Sequence, residues 1–131
     1  MASSNQILKR KFWKVFSEYI RRRDADEFGM VSCISCGKRM HWKEADAGHY
    51  IAKTGGLSIY FSETNVNCQC TGCNRYRHGN LAQYALALRR KYGEQILEKL
   101  EYDRRQLIQI HDNEYIEFVK LYKDKIKQLC Q

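Results

Sequence analysis

The sequence contains no proline and no long apolar segment, and both absences limit what the chain can be. Proline interrupts helices, so its absence from 131 residues suits a chain of helices and short hairpins. No stretch reaches the roughly 18 to 20 consecutive apolar residues of a transmembrane helix. Lys9, Arg10, Lys11 and Lys14 interrupt any signal-peptide core near the N-terminus. We therefore expect a cytoplasmic protein.

Acidic residues are scarce relative to basic ones. The chain has 23 Lys and Arg against 15 Asp and Glu, a formal net charge of +8. An excess of this size favours a polyanionic partner, most often nucleic acid, although many basic proteins bind none. Internal repeats, low-complexity tracts and flexible linkers are also missing, so residues 1–131 are expected to form a single domain.

Apolar residues at helical spacing predict helices at both ends of the chain. The first helix is predicted over residues 5–23 and the C-terminal helices lie within 81–130. We expect their apolar stripes to pack in the core. The expected caps are Ser3 or Ser4 for the first helix, Gly93 for the helix that starts at Leu81, and Asp112 for the last helix.

Glycine, cysteine and histidine concentrate between these helices, in residues 30–80. Two strands are predicted here, over 47–52 and 58–62, with a tight turn at Gly55 and Gly56. The chemistry of the protein is expected in this segment.

Six cysteines in a reducing compartment indicate metal ligands before disulfides. Four of them form two C-x2-C pairs, each of which offers two thiolates from one tight turn. Two pairs complete a tetrahedral Zn²⁺ site with no open position for a substrate, so we predict a structural zinc. The pairs are Cys33 with Cys36 and Cys70 with Cys73. Cys68 is an alternative to Cys70 at a less usual spacing, and Cys130 is expected to take no part.

Histidine and asparagine residues stand beside these pairs. His49 lies between them on the first predicted strand, Asn65 precedes the second pair by five residues, and Asn74 follows it directly. Hydrolysis of a phosphodiester needs a base that activates water and a cation that stabilises the developing charge. A neutral imidazole accepts a proton near pH 7, and an asparagine carbonyl can hold it in one tautomer. We therefore predict catalysis at His49, rather than a core or surface role.

His78 lies four residues after Asn74, so both would share one face of a helix that starts at the second cysteine pair. Mg²⁺ prefers oxygen ligands and tolerates an imidazole. Three roles stay open for His78: a ligand of a second metal, a phosphate donor, and a helix-surface residue.

At these residues the sequence resembles the HNH nuclease superfamily, whose four-cysteine members run C-x2-C, then D-H or H-H, then N-x4-C-x2-C-N. It is more similar to the NinG (Rap) recombination endonucleases of lambdoid phages. The segments that carry this similarity are 33–37, 46–51, 61–66, 69–74 and 78–81.

The resemblance implies an α+β fold: a zinc-stabilised ββα-metal (HNH) core over 30–80, with flanking N- and C-terminal helices. It also implies an endonuclease of phage homologous recombination that cleaves branched DNA, such as Holliday junctions or D-loops. By position His49 would be the general base, Asn65 its orienting partner, and Asn74 a ligand of a catalytic Mg²⁺ or Mn²⁺. His78 is expected to contribute to that site.

The sequence departs from the HNH pattern directly before the histidine. The usual acidic or imidazole ligand is replaced by Gly48, and Asp46 lies two positions earlier. Both point to the same side of a strand, so we expect Asp46 to supply the missing carboxylate. The alternative leaves the metal to Asn74, His78 and the DNA phosphate.

Basic residues near this core are expected to hold flanking phosphates. They are Lys14, Arg21 and Arg22 on the first helix, with Arg75 and Arg77 after the second cysteine pair. A symmetric junction would invite a homodimer through the C-terminal helices, which the sequence equally allows to pack internally. Two rival functions remain: a non-enzymatic zinc-knuckle module that binds nucleic acid, and an HNH nuclease with another DNA substrate, such as a homing or restriction enzyme.

Overall fold

The computed structural model describes residues 1–130 and has a mixed α+β architecture, as the sequence predicts. β1 pairs with β2 and β3 with β4, both antiparallel, in two separate two-stranded sheets. Within residues 1–130, no helix combines the length and apolarity needed to cross a membrane. The elements are α1 (Ser4–Arg23), β1 (Met30–Ser32), β2 (Arg39–His41), β3 (Asp46–His49), α2 (Leu57–Tyr60), β4 (Val66–Gln69), α3 (Leu81–Tyr92), α4 (Ile96–Arg104) and α5 (Asp112–Leu129).

The two longest helices, α1 and α5, pack against each other around an aromatic core. The predicted first helix is confirmed, and Ser3 caps it in a reciprocal pair of hydrogen bonds with Gln6. The buried face of α5 packs on α1 in this structure, so its aromatic residues serve the internal core. The buried members of this core are Phe12, Phe16, Ile20, Val66, Tyr115, Val119 and Tyr122.

The β3–β4 sheet lies between α1 and α3, and its register decides which side chains face which helix. Asp46 pairs with Gln69 and Gly48 with Asn67, so these four residues share one face. On that face Tyr84 of α3 donates a hydrogen bond to the Gly48 carbonyl at 2.7 Å. His49 belongs to the opposite face, which α1 covers.

The predicted strand over 58–62 is wrong. Residues Leu57–Tyr60 form the short helix α2, residues 61 and 62 follow it outside any helix or strand, and Gly55 and Gly56 lead into α2 instead of closing a hairpin. The true partner of β3 is β4, whose four residues are all buried. Burial includes the polar Asn67 and Gln69, so β4 shows none of the polar and apolar alternation from which a half-buried strand is predicted.

The predicted helix from the second cysteine pair through His78 is also wrong. Residues Gly72–Tyr76 form a single π-helical turn, and the chain then adopts left-handed backbone at His78, Gly79 and Asn80. After the turn, the chain folds back on the second cysteine pair, where Gly79 N donates to the Cys73 carbonyl at 2.7 Å. Asn74 and His78 therefore do not share a helix face.

Of the other expected boundaries, Gly93 follows α3 at φ 106° as predicted, whereas the cap of α5 is His111. Asp112 is the first residue of α5, and its carboxylate accepts hydrogen bonds from Ser4 and Asn5 of α1 instead. This bond pattern explains the error, because the aspartate is used between helices and not within its own.

Candidate functional site

The four cysteines of the two C-x2-C pairs converge on one point. Their sulfur atoms all lie within 4.8 Å of one another, and the Sγ atoms of Cys36 and Cys70 are 3.7 Å apart. Four sulfurs bound to zinc at about 2.3 Å are about 3.8 Å from each other, so the cluster fits a tetrahedral zinc ion. The four residues that could hold this ion are Cys33, Cys36, Cys70 and Cys73, the set expected from the sequence.

Local backbone geometry shapes the cysteine turns and favours the thiolate of Cys70, whereas burial raises the pKa of Cys33. Gly37 adopts φ +81° directly after Cys36, a left-handed conformation that favours glycine. Burial raises the pKa of Cys70, but the Cys73 backbone amide and the neighbouring thiols outweigh it and lower that pKa to about 7. A thiol with this pKa yields thiolate readily, which metal binding requires.

The two remaining cysteines lie outside the cluster. The Cys68 thiol faces α1, with the carbonyl oxygens of Ile20 and Arg21 at 3.8 and 3.6 Å. Cys130 lies at the end of α5, where its sulfur accepts a hydrogen bond from Arg22. Cys68 therefore does not compete with Cys70 for a metal.

His49 is held at the end of β3 by two aromatic rings and a backbone carbonyl. Trp13 of α1 stacks on the imidazole at 5.0 Å between centroids, and Tyr60 meets it edge-on at 5.2 Å. Nε2 lies 2.9 Å from the Tyr60 carbonyl oxygen, which can only accept. In the neutral ring Nε2 therefore carries the proton, and Nδ1 presents the lone pair of a base.

The protonation equilibrium of His49 also favours a base. Burial lowers its pKa below the ordinary 6.5, the bond to the Tyr60 carbonyl raises it, and the charge of Lys53 lowers it further. The net direction is downward, so the imidazole is neutral at pH 7.

Asn65 is fully buried and bonds to the short helix α2, which ends at Tyr60. Its Oδ1 accepts from Ile51 N at 2.8 Å, and its Nδ2 donates to the carbonyls of Ile51 and Ile59 at 3.0 and 3.1 Å. The expected asparagine carbonyl on the imidazole is thus replaced by the carbonyl of Tyr60. Asn65 bonds the carbonyl of Ile59, the residue before Tyr60. If Asn65 orients the His49 imidazole, it does so indirectly, by positioning the backbone carbonyl of Tyr60.

Asp46 and Asn74 are brought together on the other face of β3. Asn74 Nδ2 donates to the Asp46 carboxylate at 3.0 Å, which leaves Asn74 Oδ1 directed towards Gly48. Arg75 forms two hydrogen bonds with the same carboxylate, both at 3.1 Å. The Arg75 side chain is largely exposed, so the ion pair lies at the surface.

The space beside Gly48 is filled by Gln69. A Cβ atom built on Gly48 would lie 1.8 Å from Gln69 Oε1 and 3.0 Å from Asn74 Oδ1. Gln69 Nε2 donates to Ser35 Oγ and to the Gly79 carbonyl at 2.9 and 2.7 Å. Any side chain at Gly48, including the usual acidic one, would collide with the glutamine.

Comparison with known proteins places the chain in a family. A family model described as Bacteriophage Lambda NinG protein matches residues 3–131. Protein ninG of Escherichia phage lambda is 32% identical over 97 residues, which are 70% of this chain and 45% of that protein. Protein ninG of Salmonella phage P22 is 31% identical over 102 residues, 74% of this chain and 48% of that protein. The chain belongs to the NinG family of phage proteins.

This NinG-family chain spans about half the length of the curated relatives that it matches. No solved structure matches it. The similarity to NinG proteins predicted from the sequence is confirmed, while membership of the HNH superfamily and nuclease activity stay predictions.

The remaining predicted site residues of this NinG-family chain are exposed or are already engaged by other groups. His78 is exposed and outside the π-helical turn. Arg21 bonds Ser17 and the Trp42 carbonyl, and Arg22 pairs with Glu18. Lys14 and Arg77 are exposed.

Sequence reasoning missed three residues of the site: Trp13, Tyr60 and Gln69. Trp13 lies beside Phe12 on α1, where an aromatic ring is expected to join the core, and Tyr60 lies in the segment predicted as a strand. Gln69 stands next to Cys70, and that adjacency was the available signal, but it gave no chemical role. Only the fold shows that the side chain reaches under Gly48.

Proposed function

We propose that this NinG-family chain is a divalent-metal-dependent DNA endonuclease of the HNH type, with His49 as its general base. The observation that carries the proposal is the tautomer of His49. A carbonyl acceptor on Nε2, with burial that keeps the ring neutral, leaves the Nδ1 lone pair free to take a proton from water.

The oxygen-bearing residues on the face of β3 opposite to His49 fit a hard cation. Asn74 Oδ1, the Asp46 carboxylate and the unpartnered Gln69 Oε1 are oxygen donors of the kind that Mg²⁺ and Mn²⁺ bind. A bound cation would stabilise negative charge on a scissile phosphate and on the leaving oxygen. His49 supplies the complementary function by accepting the proton of the attacking water.

The base and the oxygen donors lie on opposite faces of β3. Gly48 and His49 are adjacent, and β3 is a four-residue strand whose only neighbour in its two-stranded sheet is β4. A phosphate that reaches both faces must therefore lie at the end or edge of this short strand. Near His49, Lys9 lies 4.5 Å from the Tyr60 ring centroid, and the charge of Lys53 acts on the imidazole. These two lysines supply positive charge for such a phosphate.

The four-cysteine cluster has a supporting role in this proposal. Bound zinc would join the turn after β1, which carries Cys33 and Cys36, to the turn after β4. The second turn presents Asn74 directly after Cys73. A closed set of four sulfur ligands leaves the zinc without a position for substrate, so chemistry belongs to the other site.

Branched DNA is the proposed substrate, as the NinG resemblance implies, and a two-fold symmetric junction would engage two copies of the chain. We would incubate the protein with a labelled four-way junction and a linear duplex of the same sequence, with and without Mg²⁺ or Mn²⁺. Junction-selective nicking that needs the cation and is lost in His49→Ala supports the proposal. His111→Asn, which keeps a capping side chain on α5, is the matched histidine control and should nick normally.

Equal nicking of both substrates would support an HNH nuclease but would contradict a preference for branched DNA. The second candidate is a zinc-knuckle module that binds nucleic acid without cleaving it, which the net charge of +8 and the cysteine cluster favour equally. Tight binding without cleavage under any divalent metal would make that module the better account.

A further inference from the structure

Gln69 is one of two residues within 1–130 that have a buried side-chain polar atom without a hydrogen-bond partner, and Ser58 is the other. Gln69 is fully buried on β4, and its Oε1 has no hydrogen-bond partner anywhere in residues 1–130. Buried polar atoms are nearly always paired, with protein, water or an ion, so an unpaired one indicates a missing partner.

The orientation of the Gln69 amide is fixed by its neighbours. Nε2 donates to the Gly79 carbonyl at 2.7 Å, and a carbonyl cannot donate in return. Ser35 Oγ, itself a donor to the same carbonyl at 3.2 Å, receives the second Nε2 proton at 2.9 Å. Oε1 must therefore point away from Gly79, towards Gly48 and Asn74.

A second oxygen converges on the same place. Asn74 gives its Nδ2 to Asp46, so its Oδ1 is the atom that faces the Gly48 backbone. Two amide oxygens thus approach the point where an HNH protein of the usual pattern would carry a side chain before its histidine. Two acceptors that face one point need either a donor or a cation between them, and the Asp46 carboxylate nearby adds negative charge.

We propose that Gln69 Oε1 is a ligand of the catalytic divalent cation, together with Asn74 Oδ1, and replaces the side chain that Gly48 lacks. This assignment rests on the proposed endonuclease function. In the usual HNH pattern the ligand lies on β3 directly before the histidine, whereas here it lies on β4 at Gln69. Position 48 is then a glycine because Gln69 occupies the space of its side chain. Asp46, already bonded by Arg75 and Asn74, then contributes charge beside the cation.

The test measures Mn²⁺ binding directly, by electron paramagnetic resonance of the full chain, with zinc content and melting temperature recorded for every variant. Gln69→Ala removes the oxygen and should raise the Mn²⁺ dissociation constant by at least about tenfold. Gln69→Glu keeps the shape and adds charge for the cation, but it replaces the Nε2 donor to Gly79 and Ser35 with an acceptor oxygen. It should therefore melt below wild type without metal, bind Mn²⁺ several-fold more tightly, and gain more thermal stability from Mn²⁺ than wild type. Gln83→Glu adds the same charge at an exposed position of α3 and should bind as wild type does.

A double variant protects the test against simple misfolding. Gly48→Asp alone collides with Gln69, whereas Gly48→Asp combined with Gln69→Ala moves an oxygen ligand from β4 to β3 in the vacated space. Recovery of Mn²⁺ binding in the double variant, relative to Gln69→Ala, supports a ligand role that a purely structural glutamine would not show.

Unchanged Mn²⁺ affinity in both Gln69→Ala and Gln69→Glu, with zinc content and fold intact, would overturn the assignment. Absence of Mn²⁺ binding by the wild-type chain would overturn it as well. If wild type nicks DNA but Gln69 variants bind Mn²⁺ normally, only the ligand assignment fails. If Gln69 governs Mn²⁺ binding but no DNA is cleaved, the cation site stands and the endonuclease proposal fails.

Discussion

The imidazole of His49 is kept neutral chiefly by burial between Trp13 and Tyr60, and this has a direct consequence for pH dependence. Because the folded-state pKa lies below 6.5, the base stays active until the pH falls below that value. We expect the acid limb of kcat/KM for nicking to have its midpoint below pH 6.5. A proton NMR titration of the His49 ring tests the same pKa without substrate, and a value of 6.5 or higher would contradict it.

The same shift affects stability, with a definite sign. The unfolded chain binds a proton at this histidine more readily than the folded chain does, so folding is favoured by deprotonation. The contribution of His49 is complete above the unfolded pKa of about 6.5 and is lost as the pH falls towards the lower folded pKa. Denaturant unfolding of wild type and His49→Gln across this window isolates the effect.

Gly48 owes its identity to Gln69 and not to backbone conformation, since its φ is not in the left-handed region. Gly48→Ala places a methyl group 1.8 Å from an amide that Gly79 and Ser35 hold in place. We expect a loss of roughly 1–3 kcal/mol in the free energy of unfolding, measured by denaturant titration. Gly72→Ala is the control, because its Cβ would meet nothing closer than 3.8 Å. Equal effects at both positions would show that Gln69 moves aside freely.

At the level of secondary-structure elements, the two cysteine turns are separated by 33 residues in the sequence, yet their four sulfur atoms lie close together. We expect one zinc per chain, and its removal by a chelator should lower the melting temperature and release the turn that carries Asn74. Cys36→Ser should reduce the zinc content, whereas Cys130→Ser should leave it at one. Zinc is measured by atomic absorption and folding by circular dichroism. Full thermal stability without zinc would contradict a stabilising role.

The elements that sequence could predict are those with a strong local signal. Apolar residues at a spacing near 3.6 predict the helices α1, α3 and α5. The C-x2-C spacing likewise identifies the two cysteine pairs. β4 could not be recognised, because Asn67 and Gln69 are buried polar residues that bond to groups distant in the chain, such as Arg23 and Tyr92 for Asn67 and Ser35 for Gln69. The short π-helical turn Gly72–Tyr76 could not be predicted for a related reason. Contacts with the second cysteine pair override the continuous helix that the local sequence suggests.

Site chemistry followed the same division. His49, Asn74 and the four cysteines could be chosen from residue type and spacing. The Tyr60 carbonyl on His49 and the Gln69 oxygen beside Gly48 could not, since backbone carbonyls carry no sequence signature and a glutamine is chemically unremarkable until its surroundings are known.

At the scale of the whole molecule, three apolar clusters surround the β3–β4 sheet. The aromatic α1–α5 core packs on one face, the α3–α4 cluster reaches the other through Tyr84 and Tyr50, and the cysteine cluster lies at the end of the sheet. His49 consequently borders the aromatic α1–α5 core, while Asp46 and Asn74 border the cysteine cluster.

Substitutions at Lys14 on α1 and at Arg77, which follows the second cysteine pair, can separate specific phosphate contacts from the general effect of net charge. Both side chains are exposed, and neither forms an ion pair among the described residues 1–130, in contrast to Arg22 and Arg75. If each neutralises one DNA phosphate, Lys14→Gln and Arg77→Gln should each reduce the slope of log K against log salt by about 0.9.

Lys99→Gln provides the charge-matched control, since Lys99 is paired with Asp103 on α4. All three variants change the net charge equally, so a diffuse electrostatic attraction predicts three equal slopes. Direct contact predicts a lower slope for Lys14→Gln and Arg77→Gln alone. Fluorescence anisotropy of a labelled four-way junction, titrated at several salt concentrations without divalent cation, separates the two. Three indistinguishable slopes would exclude Lys14 and Arg77 from the DNA-binding surface and leave the overall charge as the source of binding.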